Sequence, residues 1–500
     1  MTTSTSCLHR PARPWETASR KSCSSESRVG RRPEDNTFAN EVTAMSVASE
    51  TESLRQAALD HLWQHNRDWE TAARENEPLI IVGGEGIHVT DSDGRTWIDV
   101  SGGYSSVNIG YGRTEIADAA YEQLKQIHYF PQTTANPPTI RLAAKLAELA
   151  PGSLSRVFPV SGGSLANETA LKIARAYHRR RGDHGRFRII SRRGSYHGAT
   201  GGVLFLGSIP NAPRTDYEPS PPGMVYAPQP NAYRCELGSQ SASDCAVACA
   251  RAIEDLIRFH GAETVAAVIA EPVASGPGAV MPSPEYWQLL REICDRHGVI
   301  LIADEVITGF GRTGKMFAVE HMGVVPDIMT LAKGISSSYL PLGATIATEE
   351  IAAAFAGEGN HLKHVFTYSG HPVSAAAGLK NIELIQEEGL VAHVAKTGVY
   401  LRESLQQLQD RHPLIGDVRG IGFMQSIDLV ADRQTRAVHP AEVKLTDRLN
   451  TKFKDRGLLL KAHGGHILNL SPPLCTTREN LDEILSGISE SLSELETELG

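Results

Sequence analysis

The chain is 500 residues long, a length that suits two or three domains of ordinary size. Hydrophobic residues make up 41% and charged residues 21%, as in ordinary globular proteins, and the formal net charge of −9 gives no electrostatic reason to expect nucleic acid or an anionic membrane as partner. No apolar run approaches the roughly 18 residues that a bilayer-spanning helix requires.

Residues 1–44 differ in composition from the rest of the chain. They hold thirteen Ser or Thr, seven Lys or Arg and five Asp or Glu, with few large apolar side chains. Such a segment cannot bury enough surface to offset its ordering entropy, so it is predicted to be a disordered tail. Its acids and its missing apolar stripe argue against a transit peptide, and Met45 begins a stretch that looks like an ordinary N-terminus. The seven cysteines (Cys7, Cys23, Cys235, Cys245, Cys249, Cys294 and Cys475) are odd in number and form no CxxC pair. Cys245 and Cys249 are spaced to share a helix face, but no His or Cys nearby completes a zinc site. The expectation is no disulfide framework, no metal site, and a reducing compartment, the cytoplasm.

In chain order, Leu54, Ala58, Leu62 and His65 predict a helix from Glu52 to about Trp69. Leu79–Val82 and Gly86–Val89 read as a strand pair, with a turn at Asp91-Ser92-Asp93-Gly94. Ile116, Ala120, Leu124 and Ile127 recur at helical spacing, and so do Leu142, Leu146 and Leu149 before Pro151-Gly152 stops them. From about 155 the rhythm is strand, helix, strand. Strands are predicted at Val157–Val160, Phe187–Ile190, Val265–Ala270 and Val299–Ala303. Helices run through Leu171, Ala174 and Tyr177, ending in the solvated Arg179-Arg180-Arg181, and from Tyr286 to His297, with Gly298 at its end. Residues 207–238, rich in Gly and Pro, read as a long connection with little regular structure. After about 375 come helices at about 373–388 and 391–410, the run Val418–Val430, another helix, short strands at Leu458–Leu460 and Ile467–Leu470, and a last helix through Leu481, Ile484, Leu485, Ile488 and Leu492. The alternation predicts an α/β fold: a large, mostly parallel sheet domain covered on both faces, plus a smaller α+β domain. The boundaries assigned are a tail at 1–44, an N-terminal segment at 45–110 that belongs with the small domain, a large domain at 111–372 and the small domain at 373–500.

Several stretches carry polar groups suited to chemistry. The apolar run Val299–Ala303 ends in Asp304-Glu305, and Lys333 comes 29 positions after Asp304 on a short apolar segment. A carboxylate at the carboxyl end of a parallel strand, with a lysine beyond it, suits Schiff-base chemistry with an aldehyde cofactor, the carboxylate keeping a ring nitrogen protonated. A surface lysine and a capping aspartate are the plainer reading. Ser161-Gly162-Gly163-Ser164 lies after a strand and opens a helix, which makes an anion site or simply a capped helix start. Tyr196 and His197 lie between Gly194 and Gly198, where both rings could stack on a flat heterocycle or pack in an ordinary turn. Glu271 ends the 265–270 strand and either serves a pocket or holds an arginine. Thr367, in Phe366-Thr367-Tyr368-Ser369-Gly370, offers a hydroxyl ahead of an alanine-rich helix.

Taken together, in this order, these stretches resemble the class III aminotransferases. Those are pyridoxal 5'-phosphate enzymes of fold type I that include the amine:pyruvate (omega) transaminases. The resemblance runs from about 75 to about 490. Its most specific part is Asp304-Glu305-Val306-Ile307-Thr308-Gly309-Phe310-Gly311-Arg312-Thr313-Gly314, then Pro326-Asp327, then Leu331-Ala332-Lys333-Gly334. It implies that Lys333 forms the Schiff base with the cofactor and then acts as acid and base. It implies that Asp304 binds the pyridine nitrogen, that Val306 and Tyr196 pack on the two faces of the ring, and that Gly163 and Ser164 hold the phosphate. Thr367 would reach that phosphate from a second subunit of a homodimer, which could pair further into a tetramer, and Glu271 would sit close to the cofactor.

The chain departs from the family at three places. Leu165 stands where a Glu often comes after the Gly-Ser pair. Tyr104 and Ser105 stand where amine:pyruvate members often carry a bulky aromatic, which would widen the pocket. Lys461, eleven residues before Pro472, is the nearest candidate for the arginine that grips the acceptor carboxylate, and a lysine lacks the bidentate fork. The implied function is transfer of an amino group from a primary amine or ω-amino acid to a keto acid such as pyruvate, ping-pong through pyridoxamine phosphate. A same-fold aminomutase or racemase, and a non-catalytic cofactor-binding regulator, are the alternatives.

Overall fold

The computed structural model describes residues 50–75, 78–207, 214–239 and 241–500. The tail expected at 1–44 lies outside the described residues. Residues 55–500 form one compact unit, with three sheets among the described residues. No described helix is long and apolar enough to cross a membrane.

The largest sheet has seven strands: β4 (Leu154–Val160), β5 (Arg188–Arg192), β6 (Met224–Ala227), β7 (Val265–Ala270), β8 (Ile300–Asp304), β9 (Ile328–Leu331) and β10 (Gly343–Thr348). Their spatial order is β4-β10-β9-β8-β7-β5-β6. The pairs from β9 across to β6 are all parallel, while β10 runs antiparallel to both β9 and β4. The expected large, mostly parallel sheet is borne out, with one antiparallel strand inserted. Side chains that alternate along each strand feed two separate cores. Ile300 and Ile302 share one with Ala170, Leu171 and Ala174 of α1 (Gly163–Arg180). Leu301 and Ala303 share the other with Cys245 and Ile253 of α2 (Ala242–His260) and Tyr286 and Leu290 of α3 (Pro284–His297). Burial on both faces is why these strands read as unbroken apolar runs. Gly298 closes α3 with φ 61°, and its N–H bonds back to the carbonyls of Cys294 and Asp295, turning the chain directly into β8.

A three-stranded antiparallel sheet, β1 (Ile81–Glu85), β2 (His88–Asp91) and β3 (Thr96–Ile98), comes before it in the chain. The turn between β2 and β3 is fixed by Asp91, which accepts from the N–H groups of Asp93 and Arg95 and from Trp97 Nε1. A four-stranded antiparallel sheet comes last, in the order β11 (Ile415–Ile421), β12 (Met424–Leu429), β14 (Ile467–Leu470), β13 (Ala462–His463). Backbone bonds join the early and late segments: Ile98 N–H donates to the Gly457 carbonyl, Leu459 N–H to that of Ile98, and Ser471 N–H to that of Val100.

Four local expectations change. The helix expected from Glu52 to Trp69 ends at 61, and a separate helix, Trp69–Arg74, starts after Asp68, whose carboxylate caps Glu70 and Thr71 N–H. The 207–238 connection contains β6, whose Val225 and Ala227 are buried although Gly and Pro flank the strand. The run Val418–Val430 is a hairpin of β11 and β12 that turns at Gly422, with φ 56°. Leu458–Leu460 does not pair as a strand of the late sheet. Leu458 bridges to Ile98, and strand pairing begins at Ala462.

Candidate active site

Parallel strands β7, β8 and β9 end on one edge of the sheet, so Glu271, Asp304 and Lys333 gather there with the first turn of α1. They border an open cleft of about 140 Å³. Seven of the residues that the resemblance singles out line it: Gly163, Ser164, Tyr196, Glu271, Asp304, Val306 and Lys333. Asn167, His197, Gly198, Ser275 and Thr308 are among the others.

Asp304 is buried at the cleft floor and held from three sides. Its Oδ2 accepts from Asn167 Nδ2 at 2.8 Å and His197 Nδ1 at 2.7 Å, and its Oδ1 accepts from Val306 N–H at 3.0 Å. Asn167 is held in turn. Its Nδ2 also donates to the His197 carbonyl at 2.7 Å, and its Oδ1 accepts from Thr330 Oγ1 on β9 at 2.7 Å. His197 is thus a buried prop of the floor, hydrogen-bonded to Asp304. Burial opposes its protonation, but Glu271 and Asp304 outweigh that and raise its pKa.

Glu271 satisfies both of its readings, since it lines the cleft and holds an arginine. Oε2 accepts from Arg192 Nη2 and from Ser195 Oγ, each at 2.9 Å, and Oε1 accepts from Tyr196 N–H at 3.1 Å. Burial works against its charge, yet His197 and Arg192 bring its pKa below the ordinary value. The bond to Tyr196 N–H fixes the backbone that carries that ring.

Lys333 lies just past β9 in the left-handed region, φ 49°, a conformation disfavoured for a side-chain-bearing residue. Its Nζ donates to the Tyr104 carbonyl at 2.8 Å. Burial, helped by the buried Arg312, brings its pKa down to about 8, and Asp304 opposes the shift.

At the start of α1 a small cradle is closely fitted. A Cβ on Gly163 would meet Val306 Cγ1 at 2.8 Å, and one on Gly198 would meet Ser164 Oγ at 2.5 Å. Ser164 Oγ accepts from Ala199 N–H at 3.1 Å, which aims the hydroxyl.

The remaining candidates lie apart from the cleft lining. Thr367 is exposed on the loop before α4 (Pro372–Glu387), its carbonyl taken by Tyr129 Oη at 2.7 Å. Lys461 is exposed. Tyr104, 77% exposed, and Ser105 come after Gly102 and Gly103 in one left-handed turn, with φ between 54° and 62°. Ser105 Oγ bonds Ser471 Oγ at 2.7 Å. Three supporting residues escaped the sequence reading. Asn167 was visible as the residue one turn past Gly163, on the helix face that returns to the same end. Arg192 gave no local signal and Arg312 showed only as a member of the Asp304–Gly314 motif, without a role, because their partners are distant in sequence. Arg312 is fully buried and bonds Asn108 Oδ1 at 2.9 Å and the Phe423 and Pro472 carbonyls.

The family model described as "Aminotransferase class-III" matches residues 71–492, and the chain belongs to that family. It is an aminotransferase, and the family works with pyridoxal 5'-phosphate. The chain is 37% identical over 457 residues to the taurine–pyruvate aminotransferase of Bilophila wadsworthia, covering 89% of this chain and 98% of that one. Among solved structures, an (S)-enantioselective omega-transaminase from Thermomicrobium roseum matches with a TM-score of 0.85 and 38% identity, over 89% of this chain and 98% of that one. An amine transaminase from an uncultivated Pseudomonas species, in its PLP-bound form, matches with a TM-score of 0.83 and 37% identity, over 87% and 98%. These matches bear out fold type I for the large sheet.

The residues present suit that cofactor. At the start of α1, glycine lets Val306 and the Ser164 hydroxyl approach the backbone of Gly163 and Gly198, where a Cβ would collide with them, and Ala199 N–H aims that hydroxyl. The one lysine on the cleft lining, among the described residues, is an amine with a lowered pKa.

Proposed function

We propose that the protein moves an amino group from a primary amine or ω-amino acid to a keto acid such as pyruvate, in two half-reactions that share one site. The observation that carries this reading is Lys333 with its pKa near 8, on a cleft whose floor is the immobilised carboxylate of Asp304. Bound pyridoxal phosphate supplies an aldehyde for the amino group and a protonated ring that draws electrons from the reacting carbon. The chain does the rest. Lys333 Nζ, close to half neutral at pH 8, takes a proton from the substrate carbon and returns it. Asp304 keeps the ring nitrogen protonated, because three N–H donors hold its charge in place. Val306 and Tyr196 would hold the ring, Gly163 and Ser164 would hold the phosphate at the start of α1, and Glu271 fixes the backbone at Tyr196.

The donor class draws support from relatives named for taurine–pyruvate and putrescine–pyruvate transfer. Tyr104, Ser105 and Lys461 are the proposed substrate-side residues. We also propose a homodimer in which Thr367 of each subunit serves the other's phosphate. The exposed apolar side chains Tyr121, Leu124, Phe130, Val365 and Tyr368 support it, since a second copy could cover them. The bonds that join Ile98 and Val100 to Gly457, Leu459 and Ser471 support grouping 45–110 with 373–500 as the small domain, beside a large domain at 111–372. Free thiols at all five described cysteines support the reducing cytoplasm as its location.

The test is a half-reaction. Cofactor-loaded protein given a primary amine and no acceptor should release carbonyl product stoichiometric with sites, and pyruvate added afterwards should appear as alanine. Recovery of isomerised or racemised amine with no carbonyl product would replace this reading by a mutase or racemase. No reaction at all would favour a regulator.

A further inference from the structure

Lys333 is left-handed, and so are Ser337 and Ser338, with φ of 49°, 48° and 61°. The chain from 333 to 338 is therefore a tight turn that cannot run on as a regular helix. Its first carbonyls are met by its own backbone. Ile335 N–H donates to the Ala332 carbonyl and Ser336 N–H to that of Lys333, each at 3.1 Å. The next two carbonyls go to one side chain. Asn381 Nδ2, on α4, donates to the Gly334 carbonyl at 2.8 Å and to that of Ile335 at 3.0 Å. Its Oδ1 accepts from Ser337 Oγ at 2.6 Å, and that hydroxyl accepts from Ile109 N–H at 3.2 Å. Two carbonyls at one end of the amide and a hydroxyl at the other fix which way it faces.

The packing around this turn is built for close approach. Gly378 lies on α4 three residues before Asn381, and a Cβ there would meet Leu342 Cδ2 at 2.5 Å and stand 3.4 Å from the Ile335 carbonyl oxygen. A Cβ on Gly334 would collide with Asn108 Nδ2, and Asn108 Oδ1 accepts from Arg312 Nη2 at 2.9 Å. Asn381 and Asn108 are both fully buried. Burying an amide costs desolvation that a carbon side chain of the same size does not, and the cost is recovered only through its bonds. Asn381 is not on the cleft lining, whereas Lys333 is. Its bonds end on the backbone immediately after the lysine.

We propose that Asn381 is a positioning residue for Lys333: its grip on the Gly334 and Ile335 carbonyls holds the lysine in its left-handed conformation, with Nζ on the cleft. The proposal rests on the reading of Lys333 as the reacting amine. Without the grip, two buried carbonyls lose their donor, and the turn can satisfy them only by rearranging. Rearrangement carries Lys333 towards the right-handed region that a side-chain-bearing residue prefers. Nζ then leaves the Tyr104 carbonyl and the desolvated place that keeps the amine partly neutral near pH 8. The lysine is still present, but as a more basic and slower amine.

The test follows the Lys333 amine in full-length, cofactor-free protein, without turnover. Trace acetic anhydride labels the lysines across a pH series, and mass spectrometry reads acetylation of the Lys333 peptide against that of the exposed Lys461. The wild-type Lys333 profile should turn over near pH 8. Asn381→Leu keeps the size and removes the donors. Its midpoint should rise by about one pH unit, and uptake of pyridoxal phosphate at pH 8 should slow about fivefold, the matching loss of neutral amine. Ser337→Ala, which frees the amide but leaves its donors, should move the midpoint the same way by less. Leu405→Ala, in the core on the helix Leu390–Arg411, should lower the melting temperature and move neither readout. A midpoint unchanged in Asn381→Leu would overturn the proposal, and so would an equal rise in Leu405→Ala, since any loss of stability would then loosen the lysine. Should Asn381→Leu fail to fold, an unchanged midpoint in Ser337→Ala overturns it. A failed half-reaction with these shifts present would overturn the aminotransfer reading and leave the grip on Lys333 standing.

Discussion

The floor of the cleft and its rim are built differently. On the floor, the polar atoms of Asp304 and Glu271 are met by partners from the same chain: Asn167, His197 and Val306 for one, Arg192, Ser195 and Tyr196 for the other. At the rim, Lys333 rests on the backbone carbonyl of the exposed Tyr104 in place of a carboxylate; Thr367 and Lys461 are also exposed but lie off the cleft lining. The floor is preorganised by one chain, which is where electrostatic catalysis is strongest. The rim is left to be completed by substrate, cofactor or a second subunit. Substitutions on the floor should therefore cost chemistry and stability together, and those at the rim should cost recognition alone.

The largest effect is expected at the junction of the two. Lys333→Ala should lower turnover by at least about 10⁴-fold, the acid–base and covalent roles being lost together, while circular dichroism stays that of the wild type. Turnover within tenfold of wild type would remove the lysine from the mechanism. Asp304→Asn comes next. The new amide would set a donor against Asn167 Nδ2 and His197 Nδ1 and withdraw the charge from the floor. Turnover at saturating cofactor should fall about 10²–10³-fold. Glu271→Gln tests the floor as structure. It leaves the fully buried Arg192 guanidinium without its carboxylate, which should cost about 3–5 kcal/mol in urea unfolding. A loss under about 1 kcal/mol would mean that the pair contributes little to the folded state.

The pH dependence of Lys333 separates the two regions without a substitution. Its pKa is brought down to about 8, so the neutral, nucleophilic amine grows as pH rises through that value. Uptake of pyridoxal phosphate by cofactor-free protein, tracked by visible absorbance, should accelerate with pH, reach half its limit near pH 8 and level off above. An inflection near the free-lysine value of about 10.4 would show that the cleft does not desolvate the amine.

The same contrast marks what was legible in the sequence. Unbroken apolar runs revealed β7 and β8, because both faces of those strands are buried, and the residues at their carboxyl ends revealed Glu271 and Asp304. Gly163 and Ser164 were readable because a helix start after a strand is a local pattern. β6 was not, since Val225 and Ala227 carry a weak alternation amid Gly and Pro. The roles of Arg192 and Arg312 were unreadable for another reason. Their partners lie 79 and 204 residues away, and no local rule reaches that far. His197 was noticed, but its bond to Asp304 was not readable, because spacing shows that a ring is present at a strand end without showing which way it turns.

The smallest effect is expected at Lys461, the proposed substrate-side residue that lies off the cleft lining. It is exposed and stands eleven residues before Pro472. An ammonium there can attract an acceptor carboxylate only through water-screened charge, worth under about 1 kcal/mol. Lys461→Ala should raise the KM for pyruvate about threefold and leave kcat and the amine KM unchanged, the pattern of an interaction equal in ground and transition states. Its stability should stay within about 0.5 kcal/mol of wild type. Lys461→Arg should then lower the pyruvate KM below the wild-type value only if the side chain reaches the carboxylate, since a guanidinium adds a second donor in a fixed fork. An unchanged KM in both variants would move acceptor recognition away from Lys461, to the Tyr104–Ser105 turn or to the second subunit.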